Sequence, residues 1–268
     1  VDAFVVQALL RGVLLPVAVA AGVALVGVMV RVPILGGAVA LAAGVAASWA
    51  AFPWTPFPPS ESWHYLPFAI ASGVIPAIFI QTRWRSAAGI TSFAVTAASA
   101  WYLIPTWPEF SATRIQWVIA LAVAATALGV VAHVIAERSS ARQMALILVL
   151  AGLANCINLE RVGCAKFAQL GGVLLAVMGA AALDRVLRPA SEISVGMIPG
   201  MVVGIVALSF LGYAHGFGDQ VELSFILILA SPVMPALALL LPRRWRIAGM
   251  LSMLLMLALA SAAPYLFA

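Results

Sequence analysis

The chain is 268 residues long, 65% apolar and 9% charged, with a mean hydropathy of +1.13. Soluble domains carry roughly 25% charged residues, so a soluble fold of this length could not hide so much apolar surface, and the bilayer must be the solvent for most of it. The formal charge of +5 and the pI of about 9.9 do not point to nucleic acid, because the basic residues sit singly or in small clusters between apolar segments, where they fix membrane orientation.

The start, VDAFVVQALLRG, has no basic leader and no small-residue cleavage site. It reads as the head of a first membrane segment over 4–30, with Arg11 inside it. Arg11 either snorkels to the surface or faces an acid such as Glu160 or Glu222. Apolar runs long enough to span follow at 34–52, 64–81, 87–104, 115–135 and 143–159. Four more follow at 167–184, 194–213, 222–241 and 247–267. A span needs about 20 residues, so the pattern predicts an all-α integral membrane protein with about ten transmembrane helices. All-round apolar character rich in Ala and Gly argues for helices over the alternating strands of a barrel.

Pro76 in the third segment and Pro235 in the ninth each predict a kink. The third is followed by Arg83, Trp84 and Arg85, and the ninth by Arg244, Trp245 and Arg246. Paired guanidinium groups beside an interfacial indole suit anionic headgroups, so both clusters read as lipid anchors at the cytoplasmic face. In the fourth segment, Ser92, Thr96 and Ser99 are spaced to form one hydroxyl stripe, either a pathway lining or helix–helix glue.

The sixth segment ends in NCINLERVGCAK, the densest polar stretch. Asn155 and Asn158 share a helix face, and Glu160 follows. The stretch reads either as a polar binding site or as a hairpin whose charges sit in headgroups. Cys156 and Cys164 flank the turn and form no C-x-x-C pair, haem site or zinc knuckle. A disulfide between them and two free thiols are both open readings.

The loops after odd-numbered segments hold ten of the fourteen basic residues: Arg31, Arg83, Arg85, Arg138, Arg142, Arg185, Arg188, Arg243, Arg244 and Arg246. The positive-inside rule puts these loops in the cytoplasm and both termini outside. The opposite loops, FPWTPFPPSESW, PTWPEF and YAHGFGDQ, are rich in proline and aromatics.

ASGVIPAI at 71–78 and ASPVMPAL at 230–237 share five of eight residues at an offset of 159. ALLRGVLL at 8–15 and AQLGGVLL at 168–175 share six of eight at an offset of 160, and the two RWR clusters lie 161 apart. These matches predict a parallel internal repeat, helices 1–4 resembling helices 7–10. The expected organisation is 4+2+4: a first repeat over 1–104, a two-helix bridge over 105–166 and a second repeat over 167–268.

No phosphate loop, zinc-protease, nucleophile-elbow or dinucleotide motif is present, and three scattered histidines suit no common metal site. No cofactor and no metal are expected. The leading expectation is a small-solute permease or channel of a bacterial-type inner membrane. The alternatives are a non-catalytic membrane subunit of a larger complex and a membrane enzyme acting on lipid. The expected partners are the bilayer, its anionic headgroups and other membrane subunits.

Overall fold

A computed structural model describes residues 6–7, 9–52, 57–82, 84–188, 190–216, 221–239, 242 and 246–266. The described residues are helical, with no strand. We number the helices α1 (Leu10–Met29), α2 (Pro33–Ala51), α3a (Leu66–Ala71), α3b (Val74–Gln81), α4 (Arg85–Leu103) and α5 (Arg114–Arg138). Then come α6 (Ala141–Arg161), α7 (Ala165–Leu187), α8 (Ile193–His215), α9a (Val221–Ala230), α9b (Val233–Ala238) and α10 (Arg246–Leu266). Among the described residues, seven helices are long and apolar enough to cross a membrane: α1, α2, the composite Ser62–Gln81 that contains α3a and α3b, α5, α6, α7 and α8. The hydroxyls of α4 lower its hydropathy, and α9 and α10 contribute shorter apolar stretches, Glu222–Ala238 and Arg246–Ala262.

Local chemistry sets the helix ends. Proline opens α2 at Pro33, where its missing N–H costs nothing. Ser140 caps α6 by accepting from the Gln143 N–H at 3.0 Å. The far end of α6 closes in a Schellman turn: Gly163 takes φ 79°, its N–H bonds the Glu160 carbonyl at 3.2 Å, and the Cys164 N–H bonds Leu159 at 2.8 Å. The same bonding ends α1, from Arg31 to Val28 at 3.1 Å and from Val32 to Gly27 at 2.8 Å. There the left-handed residue is Arg31, at φ 62°.

Two helices are interrupted in the same way. Pro76 has no N–H for the Ser72 carbonyl, and Pro235 has none for Ser231; in each case the proline ring also crowds that carbonyl. The chain breaks at Ser72–Gly73 and at Ser231–Pro232. Each serine turns its hydroxyl back three residues, Ser72 to the Ala69 carbonyl at 2.6 Å and Ser231 to Ile228 at 2.9 Å.

The core is built around α8. Of its apolar stretch 94% is buried, against 22% for α1, so α8 is the axis of the bundle and α1 lies at its rim. Small residues let backbones approach. A Cβ at Gly196 would strike the Ile34 carbonyl oxygen, and one at Gly37 would strike the Ile193 carbonyl oxygen. The two contacts are reciprocal, since 34 and 37 become 193 and 196 at an offset of 159. Leu41 packs on Gly200, its counterpart at the same offset.

Candidate functional site

The aromatic loops meet at one end of the bundle. Trp63 touches Phe167 at 5.8 Å between ring centroids, and His215 packs edge-on to Phe167 at 5.3 Å and to Trp107 at 4.8 Å. The segments before α3a and before α5, the first turn of α7 and the end of α8 therefore share one face. Between them lies a vestibule of about 440 Å³, lined by Glu61, Tyr65, Tyr102, Trp107, Arg114 and His215 together with the hydroxyls of Ser60, Ser62 and Thr106.

Its walls are held from behind. Glu61 opens a short 3-10 turn, Ser62–Tyr65, and its carboxylate accepts the backbone N–H of His64 and the indole N–H of Trp63, the latter at 2.5 Å. His64 Nδ1 accepts in return from the N–H groups of Glu61 at 3.0 Å and Ser60 at 3.2 Å. Those two donors put the ring proton on Nε2. His64 is 2% exposed and T-stacked on Trp63 at 4.0 Å, so it is part of the wall. Lys166 lies over that indole, 5.6 Å from its centroid. Across the cavity, the Arg114 guanidinium stacks on Trp101 at 4.5 Å and donates to the Trp101 carbonyl. Its Nε is buried without a partner, as is Nε2 of His215. Tyr65 and Tyr102 stack at 5.1 Å and tie the heads of α3 and α4 together.

The hydroxyl stripe runs below this cavity. Ser99 lies about one turn beneath Tyr102, and its Oγ is 3.4 Å from Ser72 Oγ, at the interruption of α3. Thr96, the next member, is 4% exposed, and its Oγ1 has no partner. Ser92 completes the row, half-buried.

The other candidates do not join the vestibule. Asn155 and Asn158 are each 1% exposed. Asn155 Nδ2 donates to the Ile205 carbonyl of α8 at 3.1 Å, and Asn158 Nδ2 to the Ala260 carbonyl of α10 at 3.5 Å. Both Oδ1 atoms are without a partner. Glu160 is exposed, and Arg161 donates to the Ser261 carbonyl. Arg11 is half-buried in a π-turn over Leu10–Leu14 and lends its backbone carbonyl to Ser48 Oγ at 3.0 Å.

Cys156 and Cys164 are free thiols, so the disulfide reading is not realised in this structure. Cys156 Sγ lies over Gly171 of α7, away from the turn that ends α6. Burial pushes the Cys164 thiol up to about 11, which starves it of the thiolate that disulfide exchange requires.

Trp84 is 67% exposed and Arg246 is exposed. Arg83, Arg244, Trp245 and the Arg85 side chain lie outside the described residues. No group of three or more His, Cys, Asp or Glu arranged to hold a metal occurs among the described residues.

Sequence reading singled out the proline- and aromatic-rich loops but not Glu61 or Arg114. The signal was the shared composition of those loops; their convergence has no trace in local spacing. The chain matches no protein-family model, no curated protein and no solved structure. What stands is a multi-pass helical membrane protein with a polar, aromatic-walled vestibule at one end.

Proposed function

We propose that the chain is a permease for a small polar solute admitted at the aromatic-loop face. The observation that carries this reading is the continuity of polar groups from the vestibule to the interrupted α3. Tyr102 lines the cavity, Ser99 below it meets Ser72, and Thr96 keeps an unpartnered hydroxyl below that. The contact between Ser72 and Ser99 closes the way, and the break between α3a and α3b lets it part. Glu61 and Arg114 in one cavity favour a solute that bears both charges or neither.

The test uses a background with Cys156 and Cys164 replaced. Ser99→Cys and Thr96→Cys are each treated with a water-soluble thiol reagent in reconstituted protein, with Ser60→Cys as the exposed control. A solute path makes both react, Ser99→Cys the faster. Silence at both positions beside a reactive control means dry helix contact, and the permease reading fails.

A second reading, a non-catalytic membrane subunit, is favoured by the burial of Asn155 and Asn158 against backbone carbonyls. We assign both asparagines to helix packing rather than to solute contact.

The same proposal takes the chain as ten crossings, in two four-helix repeats over 1–104 and 167–268 about a bridge over 105–166. The paired interruptions and the reciprocal contacts of α2 with α8 support it. The RWR clusters anchor its basic face to anionic headgroups of a bacterial-type inner membrane. Impermeant thiol labelling of intact cells then modifies Ser60→Cys and spares Ser140→Cys; the reverse pattern overturns the orientation.

A further inference from the structure

A second cavity lies on the flank of the bundle and shares no lining residue with the vestibule. It is a groove of about 220 Å³ between α5, α8 and α9a. Its polar groups are ordered by depth. Glu222 of α9a and Tyr213 of α8 stand at the aromatic-loop end. Ser209 lies one turn deeper on α8, about 6 Å at 1.5 Å per residue. Beside and beneath it the walls are apolar, with Leu121, Ile226 and Leu229 among them. Ile226 is 60% exposed, so the groove opens sideways to lipid.

Two features specify what fills it. The first is charge: the Glu222 carboxylate lines the groove beside Tyr213, and no basic residue is among the described residues that line it. The mouth is therefore anionic. The second is an unanswered donor. Ser209 is 1% exposed and its Oγ has no partner. Helical serines commonly return the hydroxyl to a carbonyl one turn back, as Ser72 and Ser231 do. Ser209 does not, and it lines the groove.

We propose that this groove seats one phospholipid with a primary-amine headgroup, drawn from the leaflet at the aromatic-loop end. Its ammonium donates to Glu222, an ester carbonyl accepts from Ser209 Oγ, and an acyl chain lies along Ile226, Leu229 and Leu121. A choline head has no N–H to donate to the carboxylate. A glycerol head with a net negative charge is repelled by Glu222. The site stands whether or not the solute path does.

The full chain is reconstituted in nanodiscs of equimolar phosphatidylethanolamine, phosphatidylcholine and phosphatidylglycerol, and the lipid retained after release is identified by native mass spectrometry. The wild type retains the ethanolamine lipid in preference to the others by roughly tenfold, the worth of one charge-assisted hydrogen bond. Glu222→Gln brings that preference close to unity. Ser209→Ala lowers retention of ester-linked but not of ether-linked ethanolamine lipid. Ile226→Trp, at a lipid-facing position, fills the groove and removes retention of all three. Equal retention of the three lipids by the wild type overturns the proposal. So does an ethanolamine preference unchanged by both Glu222→Gln and Ile226→Trp.

Discussion

The interruptions of α3 and α9 are one local device in two settings. In both, a proline faces a serine four residues back, and the serine hydroxyl turns to the carbonyl three residues before it. The second residue of the break differs, Gly73 in one and Pro232 in the other, yet the backbone does not: φ −59°, ψ −14° against φ −68°, ψ −15°. Gly73 is therefore not needed for conformational freedom. It is needed because Gly200 of α8 lies against it, leaving no room for a Cβ. Ser72 reaches a second hydroxyl, Ser99, whereas Ser231 is 0% exposed and bonds only within its own helix among the bonds observed. Proline alone does not set the break, for α8 runs unbroken through Pro199. A shared sequence makes the bend, and the neighbouring helices decide whether the bend becomes a polar contact or plain core.

The largest effect is expected where α2 touches α8. Gly196→Ala drives a methyl onto the Ile34 carbonyl and should cost about 3 kcal/mol, the upper end of ordinary overpacking. Chemical unfolding in detergent measures it. A loss under 1 kcal/mol would mean that α2 and α8 are free to separate.

Gly73→Ala against Pro232→Ala separates the two breaks directly. The first should cost about 2 kcal/mol because of Gly200, and the second less than about 1. Equal costs in the same unfolding assay would erase the distinction drawn here.

Asn155→Leu should cost roughly 1 kcal/mol for its lost bond to Ile205, with thiol labelling at Ser99→Cys unaltered. Altered labelling with stability intact would return the asparagine to the solute path.

Ser72→Ala and Ser231→Ala should each cost about 0.6 kcal/mol, since each loses one serine–carbonyl bond. Only Ser72→Ala should change the labelling rate at Ser99→Cys. The smallest effect belongs to Gly89→Ala, where a Cβ meets open space; stability should stay within about 0.5 kcal/mol.

Much of the candidate site was not legible in advance. The stripe of Ser92, Thr96 and Ser99 was visible because helical periodicity is a local rule, but nothing in it named Ser72 as the partner. Glu61, Arg114 and His215 come from three separate stretches, and only chain folding brings them to one cavity. Asn155 and Asn158 stood out as intramembrane polar groups, which marks them as costly without saying what satisfies them.

The sequence by itself determined the solvent, the helical class and the turn that ends α6, and it marked the prolines beside which α3 and α9 bend. Each of these follows from composition or from bonds spanning a few residues: apolar length, a missing proline N–H, a glycine in the left-handed region. Only the tertiary structure decided that α8 is the axis, that Gly73 must be glycine and that the aromatic loops enclose a vestibule. Those depend on segments far apart in the chain coming together, and a local pattern carries no record of which distant surface it meets.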